Sequence, residues 1–600
     1  MNVSGTRTSN RRRYGLKLAL IVGFGALAFA FLTAHNNPAT GYEISVYTQS
    51  PLLYWGALSV ALLVAIAVSI LAYDNRLGTL ALVLAVIGVL SIFALPIIRG
   101  YFFYGHGDSL HHLGWAKDIA DGVLDPRDII YPGFHMISVF FSKFGGIEMP
   151  LTMMYVTLLV KLLYVVFVPL TLYVLYSNRK AIFIGVFSGF LLMPINHIST
   201  HEHFHTFSMT VLFTVFVYYL LFAHVTKKHV DESLPRLISP TGMILPVALV
   251  AVVFFHPQAA FNVLLLFGTI TLVQFVYRLR SKDHAVSQMR GIYGQFILLA
   301  VVFALWAGQF ENTYRVLDLM ITGVQETITG NEEAGEVIQQ RSSSTVAVGA
   351  SLTEMFVKLF GVSTIYSLLA GGLILSVLSS RFQAQSQKTD GVVIYFAYGG
   401  LVLVPFVGLH FLGDIDAYLF RQVGFGMVLV TILGAIALFH VSSTPFRRDW
   451  RPVLGVATVV VLAAGLLIAF SSPFILLPNA QVTETEMDGY DTLLENQDRD
   501  VRVFGGLRGH AGRFIDALQY SEDGRDQRAV MFNGTTFNEG LSGVYDTDKY
   551  LVVSQYDRTQ ELDVYNGFRY DERGFERLQT TNGIHRIQSN GDVGVYYIDE

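Results

Sequence analysis

Long apolar stretches constrain this chain more than any other feature of its sequence. A helix that crosses a bilayer needs about 20 mostly apolar residues, and thirteen stretches of this kind can be placed in the 600 residues. They lie near positions 14–33, 51–73, 78–98, 151–176, 181–198, 206–223, 242–257, 259–277, 291–309, 362–380, 391–411, 422–441 and 452–472. Charged residues make up 14% of the chain, whereas soluble domains carry about 25%. The sequence therefore predicts a polytopic α-helical membrane protein.

Basic residues predict how these spans are oriented. Arg11, Arg12 and Arg13 precede the first span, so the positive-inside rule places the N-terminus in the cytoplasm. Alternation from there assigns to the cytoplasm the loops that contain Arg76, Arg179, Lys180, Lys227, Lys228, Arg236, Arg278, Arg280, Lys282, Arg290, Arg381, Lys388, Arg447, Arg448 and Arg451. An odd number of spans then leaves the C-terminus outside, and we expect a multi-pass protein of the cell membrane.

The chain changes character after residue 472. From there on it holds 23 acidic and 12 basic residues with Lys549 as its only lysine, which is typical of a salt-adapted organism. Alternating apolar runs predict strands at 501–504, 529–532 and 550–553, an Asn-Gly turn predicts a hairpin over 584–598, and residues 511–520 predict a helix. We therefore divide the chain into a membrane domain, 1–472, and a soluble extracellular α+β domain, 473–600, in which no catalytic motif is evident.

Composition also excludes several classes of function. The chain contains no cysteine, which excludes disulfides, thiolate metal sites and cysteine nucleophiles. Neither half is basic enough to bind nucleic acid. On the predicted topology, carboxylates and imidazoles collect in the outer loops, whereas the cytoplasmic loops offer only basic residues. Such groups are costly to desolvate beside a membrane, and they act as metal ligands and proton carriers. We therefore expect any chemistry on the outer face.

The richest outer loop covers residues 99–150. Leu113, Ala116 and Ala120 share a helical face that follows Asp108, which predicts a juxtamembrane amphipathic helix. A turn at 131–135 then leads into a re-entrant or interfacial segment near 134–148. Asp108 would lie at the mouth of a membrane cavity, where it could accept a proton, hold a divalent cation or merely cap the helix. For Asp118, Asp121 and Asp128 the sequence favours capping or a solvated loop.

Histidines crowd a second outer loop. His201-Glu202-His203-Phe204-His205 matches the H-E-x-x-H pattern of zinc peptidases. The loop is short and no third ligand follows, so contact with an anionic headgroup or phosphate, or looser metal binding, is favoured over a peptidase. Interfacial histidines that face water are the remaining alternative.

Two further segments stand out on the same side. Asp414 and Asp416 precede Arg421, whose guanidinium suits a lipid phosphate and could equally pair with Asp416. The loop 310–350 is long and polar, with Glu332 and Glu333, and would be a lid or a plain connector.

The span count, the outer-face cluster and the C-terminal domain together resemble the C-class (GT-C) membrane glycosyltransferases. Members begin their main outer loop with an acidic residue, as in Gly107-Asp108-Ser109, and continue with a juxtamembrane helix, here 110–122. An aromatic-Pro turn follows, here 131–135, and the terminal segment 589–598 is similar to archaeal, especially haloarchaeal, members. The chain departs from the family in that Asp108 follows the third span rather than the first, and in that Ser109 stands where a second acid is usual.

The resemblance implies a function. The chain would transfer a sugar from a polyprenyl (dolichyl) phosphate to a lipid-linked glycan or a surface-protein acceptor, and the absence of a W-W-D signature favours a single sugar. Asp108 or Glu43 would be the catalytic base. The donor phosphate would be bound by His111, His112, His201, His205 and Arg421, with His135, Asp414 and Asp416 as further candidates. The metal requirement stays open, with Mg²⁺ or Mn²⁺ on Asp108, His201 and His205 as the candidate site. A transporter or lipid flippase is the main alternative, and a zinc metallopeptidase is a third.

Overall fold

A computed structural model gives the architecture of the chain. It describes residues 3–72, 75–190, 192–226, 240–281, 283–329, 336–379, 387–412, 418–442, 451–498, 500–504, 507, 510–519, 533–541 and 543–600. Glu332, Glu333, Asp414, Asp416 and the predicted strand at 529–532 lie outside the described residues.

Helices make up the membrane body. They are α1 (Val3–His35), α2 (Val46–Gln49), α3 (Leu52–Leu71), α4 (Arg76–Phe93), α5 (Leu95–Ile98), α6 (Asp108–Asp121), α7 (Gly133–Gly145), α8 (Met149–Tyr176), α9 (Arg179–Phe190), α10 (Thr206–Val225), α11 (Pro240–Phe255), α12 (Pro257–Arg280), α13 (Ala285–Gln288), α14 (Tyr293–Ala307), α15 (Glu311–Thr329), α16 (Glu336–Ala347), α17 (Leu352–Leu378), α18 (Gln387–Leu412), α19 (Tyr418–Val441) and α20 (Arg451–Leu466). A helix satisfies its own backbone hydrogen bonds, which is what an apolar stretch in lipid requires.

The multi-pass prediction is confirmed. Among the described residues, α1, α3, α4, α8, α10, α12, α17, α18 and α19 are long and apolar enough to cross a membrane. A tenth span results if α14 and the start of α15, bent by 100° between them, are counted as one. The other predicted spans coincide with the shorter helices α9, α11 and α20, so the count of thirteen stays a prediction. Helix α10 is the most enclosed of the nine, since 83% of the residues in its apolar stretch are buried.

Two predicted segments are wrong in detail. The span predicted at 181–198 stops at Phe190, because Pro194 disfavours a helical residue before it and the Asn196 side chain accepts backbone N–H groups of residues 198 and 199. We call the non-helical segment 192–205 the histidine loop. The loop predicted at 310–350 contains α15 and α16, because apolar residues such as Leu317 and Ile321 recur there at helical spacing.

Residues 473–600, here called the tail, form an α+β unit. Its strands are β2 (Gln481–Val482), β3 (Arg502–Phe504), β4 (Lys549–Ser554), β5 (Ile584–Ser589) and β6 (Val593–Ile598), and the last four form a sheet in the order β3-β4-β6-β5. Its helices are α21 (Glu484–Asn496), α22 (His510–Leu518), α23 (Gly534–Glu539), α24 (Gln555–Arg558) and α25 (Glu572–Thr580), with a π-helical turn at Thr559–Val564. The strands predicted at 501–504 and 550–553, the terminal hairpin and the helix predicted at 511–520 are confirmed, whereas the domain boundary itself stays a prediction.

The tail packs directly on the membrane body. Strand β2 pairs antiparallel with β1 (Phe103–Tyr104) of the main outer loop. Alternate residues of β4 point to opposite faces of the sheet. Tyr550 and Val552 join the core that runs into the membrane body, whereas Leu551 and Val553 join a separate core inside the tail. The main outer loop is therefore held between the membrane helices and the tail.

Candidate functional site

Helices α6 and α7 carry the main outer loop, as the sequence predicts. Helix α6 begins after Gly107, which has a φ of +71°, and buries Leu110, Leu113 and Ala116. Helix α7 buries Phe134 and His135 and exposes three phenylalanines in its second half, namely Phe140, Phe141 and Phe144. Both helices are amphipathic, so their buried faces fix which side chains enter the site.

Three imidazoles meet at the buried face of α6, a fourth joins them through Tyr131, and we call the four the histidine cluster. They are His112, His135, His205 and His256. The Nδ1 atom of His112 lies 3.2 Å from the Nε2 atom of His135, and the two rings are 5.1 Å apart between centroids. The ring of His205 lies 6.4 Å from that of His112, and His256 stacks beside Tyr131 at 5.3 Å. The cluster therefore joins α6, α7, the histidine loop and the junction of α11 and α12.

Arg421 of α19 borders this cluster. Its guanidinium lies 5.7 Å from the ring centroid of Phe207, whose edge faces His256 at 5.1 Å. The predicted donor-binding residues His112, His205 and Arg421 are thus brought together with His135, although they come from three distant parts of the chain.

Burial determines the charge of the cluster. It lowers the pKa of His135 to about 3 and the pKa values of His112 and His205 well below the ordinary value, and neighbouring histidines add to the effect. The three rings are therefore neutral at pH 7, and each can donate one N–H hydrogen bond. A site with neutral donors and one guanidinium suits a ligand of low negative charge.

Two further histidines of the loop, His201 and His203, stack on one another. His201 lies flat on His203 at 5.2 Å and meets His205 edge-on at 5.0 Å. Between them, the Glu202 carboxylate pairs with Lys161 of α8, and both side chains are 3% exposed. The zinc-peptidase interpretation is therefore wrong, because this segment is not a helix and its glutamate is held by a lysine. Within the described parts of the chain, no group of three or more histidine, aspartate or glutamate side chains could hold a metal ion.

Asp108 meets the tail. Its Oδ1 atom lies 2.5 Å from the Nη2 atom of Arg513 on α22, and the two side chains are 50% and 40% exposed. One turn further along α6, the Nδ1 atom of His111 lies 2.9 Å from the Oδ2 atom of Asp516. Both predicted site residues thus have partners in a segment for which the sequence offers no catalytic motif.

A glycine permits this contact between α6 and α22. A Cβ atom at Gly114 would lie 1.9 Å from the backbone oxygen of Asp516. Lys117 donates a hydrogen bond of 3.0 Å to the backbone oxygen of Ala517. Arg513 and Asp516 stand one helical turn apart in the sequence. This spacing is the sequence feature that could have indicated a polar helix face in the tail that contacts α6.

Glu43 is buried, and both of its carboxylate oxygens are hydrogen-bonded. Both of its oxygens accept hydrogen bonds from Arg99, at 2.5 and 2.6 Å, and the hydroxyl of Tyr101 binds the same carboxylate. Its backbone N–H donates to Gln481 of β2 at 2.8 Å. This arrangement anchors the tail to the membrane body, and it leaves Glu43 less available to a substrate than Asp108.

Another buried cluster lies at the interface with the tail. His106 stacks on Tyr556 with 3.7 Å between ring centroids, and its Nε2 atom lies 3.7 Å from the Oε1 atom of Glu486. His510 pairs with Asp557 at 2.9 Å. Burial is the largest cause that raises the pKa of Glu486, to about 8. No local pattern in the sequence indicated this cluster, because His106 lies 380 to 451 residues from the other members.

Comparison with known proteins gives distant similarities only. No protein-family model matches the sequence, and no curated protein matches it. The structure is similar to ArnT from Cupriavidus metallidurans bound to undecaprenyl phosphate, at 12% identity and a TM-score of 0.45, over 87% of this chain and 98% of that one. It is also similar to the archaeal oligosaccharyltransferase AglB from Archaeoglobus fulgidus in complex with an inhibitory peptide and a dolichol-phosphate, at 12% identity and a TM-score of 0.42, over 86% and 74%. The complex of the A. fulgidus oligosaccharyltransferase with Zn and sulfate gives 12% identity and 0.44 over 85% and 73%. Likenesses this distant carry no information about the chemistry of individual residues.

Proposed function

We propose that this chain is a membrane glycosyltransferase that moves a sugar from a polyprenyl phosphate to a lipid-linked glycan or surface-protein acceptor. The observation that carries the proposal is the histidine cluster beside Arg421, one helical turn from Asp108 on the same helix. Such a site combines donors for an anionic leaving group with a carboxylate that solvent can reach. We place it on the outer face of the cell membrane, following the predicted orientation.

The charge of the site suits a phosphate diester. A polyprenyl-phosphate sugar carries a single negative charge, which one guanidinium can balance through charge-assisted hydrogen bonds. The neutral ring of His205, whose Nδ1 atom faces Ser208, would donate its Nε2–H group to a remaining phosphate oxygen. His135, bound to Tyr131 and to His112, would hold the ring of His112 in place beside the phosphate. His201, stacked against His203, supports the position of His205.

Asp108 would accept the proton of the acceptor. The acceptor oxygen forms a bond to the anomeric carbon, and the bond from that carbon to the phosphate oxygen breaks. The polyprenyl phosphate leaves with the electron pair, the acceptor proton goes to the Asp108 carboxylate, and the configuration at the anomeric carbon is inverted. Arg513, already bound to Asp108, holds the carboxylate in place, and His111 is held by Asp516. For Glu43 to accept this proton, its carboxylate would first have to break its ion pair with Arg99.

Transfer assays test this function. Purified chain in liposomes is given a radiolabelled polyprenyl-phosphate hexose and an extract of lipid-linked and protein acceptors. We expect transfer by the wild type and a loss of at least a hundredfold in Asp108→Asn, since general base catalysis contributes about 10²–10⁴. Asp125→Asn is the matched control, because Asp125 is also a loop carboxylate paired with an arginine. Full transfer by Asp108→Asn would refute the role of Asp108, and no transfer with the complete extract would refute the function.

A transporter or lipid flippase is the second candidate. The observation that favours it is the Lys161–Glu202 pair, because ionisable groups buried among membrane helices often mark transport pathways. A flippase moves the lipid with its sugar still attached. Protection of a labelled sugar-lipid from an impermeant reagent, with no sugar transferred, would support this candidate.

A further inference from the structure

A cavity of about 490 Å³ lies between the membrane body and the tail, and it shares no lining residue with the histidine cluster. Its walls come from the histidine loop, from α16 and α17, and from two tail segments, 475–477 and 565–569. Its volume is in the range of small-molecule sites, about 300–1,000 Å³.

A buried amide at the base of this cavity lacks a partner. Asn196 is 1% exposed, and its Oδ1 atom accepts hydrogen bonds from the backbone of residues 198 and 199 and from the Ser199 hydroxyl. Within the described structure, its Nδ2 atom is buried and has no hydrogen-bond partner. Buried polar groups are almost always hydrogen-bonded. Asn196 is also a lining residue of the cavity, so this buried polar group lies within the cavity wall.

The tail supplies aromatic surface on another side of the cavity. Tyr565 and Phe568 line it, and Phe568 is 44% exposed although it is large and apolar. Helix α16 contributes Gln340 and Ser344, which offer an amide and a hydroxyl. Aromatic faces combined with amide and hydroxyl groups match a sugar ring, which presents apolar C–H faces and a rim of hydroxyls.

The charge of the lining limits the ligand further. Arg569 is the one charged residue among the described residues that line the cavity. A pyrophosphate or nucleotide carries more negative charge than one guanidinium balances. An acyl chain would contact Leu359 and Leu476 but would cover Gln340, Ser344 and Arg569 without offering them a hydrogen-bond partner, which is costly. We propose that this cavity is a saccharide-binding site for one or two sugar rings, neutral or singly anionic. The proposal concerns binding alone and does not depend on the transfer reaction.

Saturation-transfer difference NMR tests the site directly. The full-length chain in lipid nanodiscs is titrated with glucose, galactose, mannose, N-acetylglucosamine, glucuronic acid and their disaccharides. We expect at least one saccharide to bind, with affinity reduced about tenfold in Phe568→Ala and retained in Phe568→Tyr, because the aromatic face supplies the contact. Arg569→Gln is expected to weaken glucuronic acid more than the neutral sugars.

Two controls separate this site from general effects and from the proposed function. Arg573→Gln replaces an 82% exposed arginine of α25, four residues beyond Arg569, and is expected to leave binding unchanged. Asp108→Asn is expected to abolish transfer without weakening saccharide binding. The proposal is overturned if no saccharide binds, if Phe568→Ala and Arg569→Gln bind as the wild type does, or if decanol binds in the cavity in place of every sugar.

Discussion

Replacement of Glu486 by glutamine is expected to stabilise the tail in alkaline solution and to leave it nearly unchanged in acid. Glu486 lies on α21 at the interface with the membrane body, and it is 2% exposed. Burial raises the pKa of this carboxyl to about 8, and the charge of Asp557 adds to the shift. Ser554 and His510 act in the opposite direction, and Asp592 raises the pKa further. The Glu486 carboxyl of the folded protein therefore stays protonated up to a pH several units higher than an exposed glutamate would.

The pH window follows from the two states. In the unfolded chain the carboxyl loses its proton near its ordinary pKa of 4.5, whereas the folded chain keeps it to about pH 8. Between these values the folded state binds more protons, so the free energy of unfolding falls as the pH rises. At about 1.4 kcal/mol per pH unit, the interval from 4.5 to about 8 makes the loss attributable to Glu486 about 5 kcal/mol by pH 9. Glutamine cannot ionise, so Glu486→Gln removes this loss.

Urea titration followed by hydrogen exchange measures the effect. Protection of the α21 and β4 peptides is compared at pH 5 and pH 9, after correction for the intrinsic pH dependence of exchange. Glu484→Gln is the matched control, because Glu484 lies in the same helical turn and is exposed. Equal pH dependence in the wild type and in Glu486→Gln would refute the reasoning, since the buried carboxyl would then contribute nothing to it.

Two further predictions concern contacts of the membrane body. Lys161→Met is expected to lower the free energy of unfolding by about 3–5 kcal/mol, because Glu202 is left buried without its partner. Lys161→Met with Glu202→Gln should recover most of the loss in detergent melts, and a double variant no more stable than the single one would contradict this. Gly114→Ala is expected to separate α22 from α6, because its Cβ would meet the Asp516 carbonyl at 1.9 Å. Limited proteolysis should then cut the tail several-fold faster than in Gly56→Ala, a helical glycine of α3 whose added Cβ meets nothing within 4 Å, and equal rates would contradict the contact.

Local sequence patterns were sufficient to predict the helix that carries the candidate site and the hairpin that ends the tail. The spacing of Leu113 and Ala116 predicted α6, because a helix must bury one face and the period of 3.6 residues is visible in sequence. The Asn590-Gly591 turn predicted the terminal hairpin, because few other residues adopt the backbone angles of such a turn. These features depend only on neighbours within one or two turns.

Partners distant in sequence could not be predicted. Asp108 and Arg513 are 405 residues apart, and only the docking of the tail brings them together. Likewise, the sequence suggested Glu43 as an alternative base, and nothing in it indicated the pairing with Arg99, which lies 56 residues away. The H-E-x-x-H match failed because the pattern specifies residue types and not the helix that would align them. A pairing of two distant polar residues leaves no periodicity for sequence reasoning to detect.

The most direct test measures both products of the proposed reaction. Transferred sugar and free polyprenyl phosphate are quantified together for the wild type, Asp108→Asn and Arg421→Gln in liposomes. We expect one polyprenyl phosphate released for each sugar transferred by the wild type, and a loss of both products in Asp108→Asn. Arg421→Gln should raise the donor concentration needed for half-maximal rate, because the proposal has this guanidinium bind the donor phosphate. Sugar-lipid that crosses the membrane intact, with neither product formed, would contradict the account.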